Sequence, residues 1–214
     1  MAQYFVIHPT HPQPRLVRLA SEIVRDGGVI AYPTDSSYAL GCQLGNAQAA
    51  QRMRAIRGLG DNHLLTLVCR DLADAGRFVR LSNWQFRIVR QGVPGPFTFV
   101  LPATREVPRR ILNRKGNTVG VRVPDHVVVS ALLFELQEPI LSTTLILPGD
   151  AMPLNDPSEI RERLETTIDA VIDAGPCPTI PTTVVDLSHE TATVMREGAG
   201  NPARLGLTSG KMEP

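Results

Sequence analysis

The chain has 214 residues, 43% of them hydrophobic, which is enough to bury one sizeable core and predicts a single compact domain. Its three cysteines, Cys42, Cys69 and Cys177, show no CxxC spacing, so neither a disulfide framework nor a zinc ribbon is indicated and a reducing, cytoplasmic compartment is favoured. No apolar run has the length of a signal-peptide core or a membrane span, so we expect no membrane partner.

Charge is distributed unevenly along the chain. Residues 1–122 carry 17 Lys and Arg against 7 Asp and Glu, whereas residues 123–214 carry 5 against 14. All the basic residues except Lys115 and Lys211 are arginines, whose guanidinium groups suit bidentate binding of phosphate or carboxylate. The basic first segment therefore indicates a nucleotide or an RNA backbone as a ligand, unless its arginines only form solvated helix faces.

The first half of the chain predicts alternating helices and strands. Apolar residues recur at helical spacing before the Gly27-Gly28 pair, Asn46 can cap a second helix, and Ser82 can cap a later one. We expect helices over residues 14–26, 46–57, 71–79 and 83–91, and strands over residues 29–32, 64–69 and 97–101.

The second half continues the pattern, with a capping-box-like start at Asp156 and Pro157 for one helix. We expect helices over residues 126–136 and from residue 157, and strands over residues 117–124, 140–144, 170–175, 182–187 and 192–197. Interleaved elements indicate the α/β class, and the clustering of strands near the C-terminus favours a mixed sheet. One domain should span residues 1–206, followed by a flexible tail at residues 207–214.

Common catalytic and cofactor motifs are absent from the sequence. It has no GxxxxGK[ST] phosphate loop and no GxSxG nucleophile motif, and the GxGxxA match at residues 198–203 contains Pro202. His8 and His11 lack a third ligand at a recognisable spacing, so we predict no metal site formed by protein side chains.

Hydroxyl-bearing residues lie in or beside strands that are otherwise apolar. The segment YPTDSSYALG at residues 32–41 follows a buried strand and is either an exposed turn or a ligand-binding lip. Similar positions occur in LLTLVC, PGPFTFVL, VGVRVP, LSTT, PTTVVDL and MREG. An unpaired polar group in such a strand is costly, so a shared ligand would explain the set.

These segments, taken in order, resemble the motifs of a known family. They are Pro33-Thr34-Asp35 with Tyr38, Leu40 and Gly41; Pro94-Gly95-Pro96-Phe97-Thr98; Gly120, Arg122 and Pro124; Ser142 and Thr143; Thr182, Thr183, Val184 and Asp186; and Arg196-Glu197-Gly198. From about Leu16 to Glu197 the chain resembles the threonylcarbamoyl-AMP synthase family of the YrdC type, and most closely its YciO branch.

The resemblance implies a twisted mixed α/β sheet flanked by helices, with a large concave cavity. It also implies synthesis of threonylcarbamoyl-AMP from L-threonine, bicarbonate and ATP, with Mg²⁺ accompanying the ATP, for later modification of tRNA. The residues implied for threonine are Thr34, Tyr38, Arg57 and Thr182. Those implied for the nucleotide are Thr66, Thr98, Arg122, Ser142, Thr144, Thr183 and Arg196. Four of these threonines, at positions 34, 98, 144 and 182, should line one cavity.

Two positions depart from the family pattern. The Lys-x-Arg-Pro element falls on Ile56-Arg57-Gly58-Leu59, and the Ser-x-Asn pair falls on Thr144-Leu145-Ile146. These losses favour an enzyme of weakened or altered activity. Two alternatives stay open: a protein that binds tRNA or double-stranded RNA on its basic concave surface without catalysis, and a nucleotide-binding regulator.

Overall fold

The computed structural model describes residues 1–60, 63–113 and 116–207, and the predicted tail from residue 208 onward lies outside them. The helices are α1 (Pro14–Arg25), α2 (Ala47–Arg57), α3 (Leu72–Ala75), α4 (Asn83–Gly92), α5 (Val127–Leu136) and α6 (Pro157–Leu164). The strands are β1 (Gln3–Val6), β2 (Ile30–Tyr32), β3 (Ala39–Gln43), β4 (Thr66–Val68), β5 (Phe97–Pro102), β6 (Thr118–Arg122), β7 (Ile140–Thr144), β8 (Ala170–Asp173), β9 (Thr183–Asp186) and β10 (Thr193–Arg196).

All of these strands form one sheet, in the order β1-β8-β2-β3-β7-β4-β6-β5-β9-β10. The pairs β1–β8, β8–β2, β4–β6 and β5–β9 are parallel, and the other neighbours are antiparallel. The mixed sheet, the α/β class and the single domain are therefore confirmed.

Local signals placed most helix ends correctly. The Asn46 side chain accepts a hydrogen bond from Ala49 N at 3.0 Å, Ser82 opens α4 with a capping box, and Asp156 caps α6 with Pro157 at its first position. The helix predicted over residues 71–79 is wrong in length, because only the turn α3 forms there. Strands β1 and β3 were not predicted.

The sheet is covered differently on its two faces. On one face, helices α2, α4 and α6 contribute Met53, Val89 and Ile160 to the larger core. On the other face, α1 and α5 pack on β1, β8, β2 and β3 and form a second core. The second core also takes in Ile140 at the start of β7 and Val68 at the end of β4. The rest of that second face, along β7, β4, β6, β5, β9 and β10, carries the cleft described next.

Candidate functional site

The uncovered half of the second face forms a cleft of about 330 Å³, the main cleft. Successive side chains of a strand point to opposite faces, so residues two apart share a face. The lining follows this rule in the pairs Thr66/Val68, Thr98/Val100, Gly120/Arg122, Ser142/Thr144 and Thr182/Val184, joined by Ala39, His63, Leu64, Thr143 and Arg196. The intervening residues Leu67, Phe99 and Val121 lie in the larger core. The hydroxyl positions in these strands therefore mark one exposed sheet face.

Hydroxyl groups on this face divide into paired and unpaired ones. Thr98 Oγ1 and Thr182 Oγ1 share a hydrogen bond of 2.9 Å, and Ser142 donates to Leu40 O at 3.0 Å. The hydroxyls of Thr66 and Thr144 form no hydrogen bond with another described residue. These two can therefore bind a ligand without breaking an internal hydrogen bond.

Gly120 keeps the floor of the main cleft open between two threonines. A Cβ atom at this position would lie 3.1 Å from Thr66 Oγ1 and 3.3 Å from Thr98 Cγ2. Glycine thus leaves room for a ligand group at the place where β4, β6 and β5 run side by side.

Arg122 is the most deeply held charge of the main cleft. Its side chain is 8% exposed and forms an ion pair with Asp35, which is 11% exposed. Its Nη2 also donates to Thr34 Oγ1 at 3.2 Å and to Ser36 Oγ at 3.0 Å. The polar segment at residues 33–38, the lip, is therefore not an exposed turn. Its side chains at positions 34–36 form an ion pair and hydrogen bonds with the Arg122 guanidinium.

The lip also fixes its own backbone. Thr34 Oγ1 donates to Ser37 O at 2.6 Å and accepts from the backbone amides of Ser36 and Ser37, each at 3.2 Å. Asp35 accepts from Asp125 N at 3.1 Å through its other oxygen. Such a closed network holds Arg122 in one orientation at the edge of the main cleft.

Arg196 is the second arginine of the main cleft. Its Nε and Nη2 donate to Thr182 O at 3.1 and 2.9 Å, and these two hydrogen bonds fix the orientation of the guanidinium. It forms no ion pair with any carboxylate of the described residues, unlike Arg122. Partial removal from water lowers its pKa below the ordinary value, but an arginine stays charged. Its positive charge is thus available to an anionic ligand.

His63 lines the main cleft three residues before β4, and no sequence motif indicates it as a site residue. Its imidazole forms no hydrogen bond with another described residue. Partial burial, followed by the positive charges of Arg57, Arg54 and Arg196, lowers the pKa of His63 below 6.5. A lone histidine has no motif, so only the spatial proximity of α2 and β10 could reveal this residue.

The structure brings seven of the eleven predicted site residues together in the lining of the main cleft. These are Thr66, Thr98, Arg122, Ser142, Thr144, Thr182 and Arg196. The expectation that Thr34 lines the same cavity as the other three threonines is wrong, because its buried hydroxyl is bonded inside the lip and to Arg122.

The other three predicted residues also lie outside the lining. Tyr38 is buried and donates to Gly175 O at 2.9 Å, and burial raises the pKa of its phenol. Thr183 is buried and bonds to Gly200 O and Gly198 N, which docks the segment after β10. Arg57 donates to Ile146 O and does not line the main cleft, but its positive charge helps to lower the pKa of His63.

No cluster of three His, Cys, Asp or Glu side chains that could hold a metal exists within residues 1–60, 63–113 and 116–207. Among the described residues, the lining offers hydroxyl oxygens, which are acceptable ligands for a hard cation such as Mg²⁺, but no carboxylate. A magnesium ion in the main cleft would therefore depend on phosphate oxygens of a bound nucleotide.

Comparisons with known proteins agree with this architecture. The family Sua5_yciO_yrdC, described as "Telomere recombination", matches residues 22–198. The chain belongs to the Sua5/YciO/YrdC family. It is 49% identical to YciO of Escherichia coli K12 over 201 residues, which cover 94% of this chain and 98% of the relative. The crystal structure of E. coli YciO superposes with a TM-score of 0.93, covering 96% of this chain and 100% of that one.

Relatives with a stated activity are more distant. The threonylcarbamoyl-AMP synthase of Halorhodospira halophila is 32% identical over 166 residues, which cover 77% of this chain and 85% of the relative. Sua5 of P. abyssi, in a crystal structure complexed with L-threonine, has a TM-score of 0.83 at 23% identity and covers 91% of this chain and 57% of that one. At that identity the likeness establishes a shared fold.

None of the helices in the described part of the chain combines the length and the apolar character needed to cross a membrane.

Proposed function

We propose that the protein is an ATP-dependent enzyme of the threonylcarbamoyl-AMP synthase type, with the main cleft as its active site. In this reaction the nitrogen of L-threonine and bicarbonate form a carbamate with loss of water. A carbamate oxygen then bonds to the α-phosphorus of ATP, and the bond to the departing pyrophosphate breaks. The proposal is supported by the Halorhodospira relative and by the L-threonine complex of the Sua5 neighbour.

The observation that carries the proposal is the convergence of unpaired hydroxyls and an unpaired arginine on one open sheet face. Thr66 and Thr144 can donate to ligand oxygens, and Arg196 can neutralise a phosphate or carboxylate. Magnesium bound to the nucleotide would neutralise further phosphate charge. Within residues 1–60, 63–113 and 116–207 the lining contains two arginines and no carboxylate, and this balance favours anionic substrates.

In this reaction the residues of the main cleft would position the substrates and stabilise negative charge. Arg122 is fixed by the lip before any ligand arrives, so it needs no reorganisation when negative charge develops. Two family cations are absent, since Ile56 and Gly58 occupy their positions. We therefore infer a lower rate than a relative with the complete Lys-x-Arg element, or a different small carboxylate in place of threonine.

The test is to titrate the protein with Mg-ATP by calorimetry and then to measure pyrophosphate release with threonine and bicarbonate present, singly and together. Release that requires both supports the proposal. Binding of ATP without release under any combination contradicts it and favours the nucleotide-binding regulator. Absence of ATP binding contradicts both.

The Arg196→Gln variant localises the ligand. It should bind ATP more than tenfold more weakly, because a charge-assisted hydrogen bond contributes roughly 1.5–3 kcal/mol. The matched control is Arg18→Gln, which removes an exposed arginine on α1 that does not line the main cleft. Equal affinities of the two variants would place the nucleotide elsewhere.

A further inference from the structure

A second cleft, of about 300 Å³, lies beyond the ends of β4 and β6. These two strands are parallel neighbours, so the chain leaves both of them at the same edge of the sheet. Residues 70–72, which follow β4, and residues 123–125, which follow β6, form two of its walls. None of the described residues that line this cleft also lines the main cleft. We name it the strand-end cleft.

The chain leaves these two strand ends towards opposite faces of the sheet. After β4 it continues into α3 and α4, and α4 packs in the larger core on one face. After β6 it continues into α5, which packs in the second core on the other face. Both connections line the cleft, through Arg90 in α4 and Ser130 in α5. In open α/β sheets, the crevice between two such diverging connections, at the carboxyl ends of the strands, is the usual place for a ligand.

Apolar side chains form half of the lining of the strand-end cleft. They are Leu72, Val93, Pro94, Val123 and Pro124. Val123 and Pro124 are buried, whereas Pro94 is exposed. Small-molecule sites have volumes of about 300–1,000 Å³, and this cleft is at the lower end of that range. The lining therefore suits a small ligand with an apolar body.

The charges of the lining balance, but they do not all pair with each other. Among the described residues, the charged ones are Arg70, Asp71, Arg90 and Asp125. Arg90 and Asp125 are exposed, and their side chains form no ion pair or hydrogen bond with another described residue. Arg70 Nη1 donates to Gln137 Oε1 at 2.8 Å, but its buried Nε has no partner among the described residues. Unpaired groups of both signs therefore surround one cavity.

Unpaired charges of both signs select the class of ligand. A simple anion would be attracted by the arginines but repelled by the aspartates, and the reverse holds for a simple cation. A zwitterion satisfies both, because its carboxylate accepts hydrogen bonds from guanidinium groups and its ammonium group donates to carboxylates. A small zwitterion that also has an apolar body is an α-amino acid with an apolar side chain.

We propose that the strand-end cleft binds a small α-amino acid with an apolar side chain, through Arg90 and Asp125. The guanidinium group of Arg90 binds the carboxylate of the ligand, and the carboxylate of Asp125 binds its ammonium group. Arg70 Nε and the Ser130 hydroxyl are further donors for the ligand carboxylate. This binding does not depend on the reaction proposed for the main cleft.

The experiment measures the binding of L-leucine by isothermal titration calorimetry, together with three analogues that each lack one recognised feature. Isocaproate lacks the ammonium group, isoamylamine lacks the carboxylate, and glycine lacks the apolar side chain. Leucine should bind at least about tenfold more tightly than each analogue, because each analogue loses either a charge-assisted hydrogen bond or the burial of apolar surface.

Two variants locate the ligand. Arg90→Gln and Asp125→Asn should each weaken leucine binding at least about tenfold. Asp125→Asn leaves the backbone amide that donates to Asp35 unchanged, so the lip stays in place. The matched controls are Arg87→Gln, one turn earlier in α4, and Asp26→Asn, after α1, and neither position lines the strand-end cleft. All four substitutions are at exposed positions and should keep the wild-type thermal unfolding midpoint.

Arg196→Gln separates this proposal from the one for the main cleft. It should leave leucine affinity unchanged, because Arg196 lines the main cleft and not the strand-end cleft. Leucine binding that is lost in Arg196→Gln but kept in Arg90→Gln would place the amino acid in the main cleft and overturn the proposal. No leucine binding by the wild type, equal weakening in test and control variants, or an analogue that binds as tightly as leucine would also overturn it. Absence of ATP binding would contradict the proposed function alone.

Discussion

The two halves of one sheet face show how the same strands form a core or a site. In β7, Ile140 and Ser142 are two residues apart and share a face, yet Ile140 packs in the core under α1 and α5 and Ser142 lines the main cleft. At the border between the halves, Tyr32 donates to Ser142 Oγ at 2.6 Å. A helix above the strand selects apolar residues, and its absence permits hydroxyls.

The energetic reason is the cost of an unpaired polar group. A threonine hydroxyl beneath α5 without a partner would cost about 1–3 kcal/mol, whereas the same hydroxyl facing the cleft is solvated until a ligand arrives. Conversely, leucines on the open half would create an exposed apolar patch. The two halves can therefore be separated by variants that affect stability alone or ligand binding alone.

The largest effect should come from the lip, which joins the open half to the rest of the fold. Asp35→Ala leaves the buried Arg122 guanidinium without its carboxylate, and breaking a buried pair in this way costs about 3–5 kcal/mol. Urea denaturation measures the free energy of unfolding. Asp26→Ala, at an exposed position after α1, is the control and should stay within about 0.5 kcal/mol of wild type. A loss no larger than the control's would mean that the pair is solvated.

The next largest effect on stability should distinguish a residue of the covered half from a residue of the open half. Leu132→Ala in α5 creates a cavity in the second core and should lower the free energy of unfolding by about 2–5 kcal/mol. Val184→Ala, on a half-buried position of the main cleft, should cost about 1 kcal/mol or less. At a temperature where both are folded, Leu132→Ala should keep the wild-type ATP affinity. Equal destabilisation by the two variants would remove the distinction between core and site.

Much of the helix and strand framework could be predicted from local sequence. Caps such as Asn46, Ser82 and Asp156 fix helix starts within a few residues, and short apolar runs bounded by turn residues identified most strands. Strands β1 and β3 escaped because β1 is short and gains its identity only by pairing with β8, far along the chain, while β3 follows directly on the polar lip.

The site was less predictable because its contacts are long-range. The hydroxyl pattern correctly indicated Thr66, Thr98, Ser142 and Thr144 as cleft residues. It could not distinguish Thr182, which faces the cleft, from the next residue Thr183, which is buried against Gly200. That choice depends on the register of β9 against β5, which no local propensity sets.

A smaller effect on stability concerns Gly58, at a position where the sequence resemblance implies an arginine. Gly58 ends α2 with a φ of 63°, and a Cβ there would lie 3.0 Å from Pro148 Cγ. Gly58→Arg should therefore lower the free energy of unfolding by about 1–2 kcal/mol, the cost of a left-handed residue with a side chain. Gly60→Arg is the matched control, because its added Cβ meets open space and its φ lies outside the left-handed region. If Gly58→Arg leaves stability unchanged, the backbone does not explain why an arginine is missing at this position.

The smallest expected effect is a pH dependence of ATP affinity, which tests whether a phosphate group binds near His63 in the open half. In the free cleft, burial and the neighbouring arginines hold the pKa of His63 below 6.5, so the imidazole is neutral at neutral pH. A bound phosphate raises that pKa, and ATP binding then takes up a proton. Affinity should rise as the pH falls through the raised bound-state pKa and level off below the free-state pKa, by up to about tenfold for one unit of difference. The phosphate groups of ATP also take up protons in this pH range, with a second pKa of about 6. Proton uptake on ATP binding is therefore measured by calorimetry in buffers of different ionisation enthalpy, for the wild type and for His63→Gln. An identical proton uptake in both proteins would mean that His63 does not face the nucleotide, even if ATP binds in the main cleft.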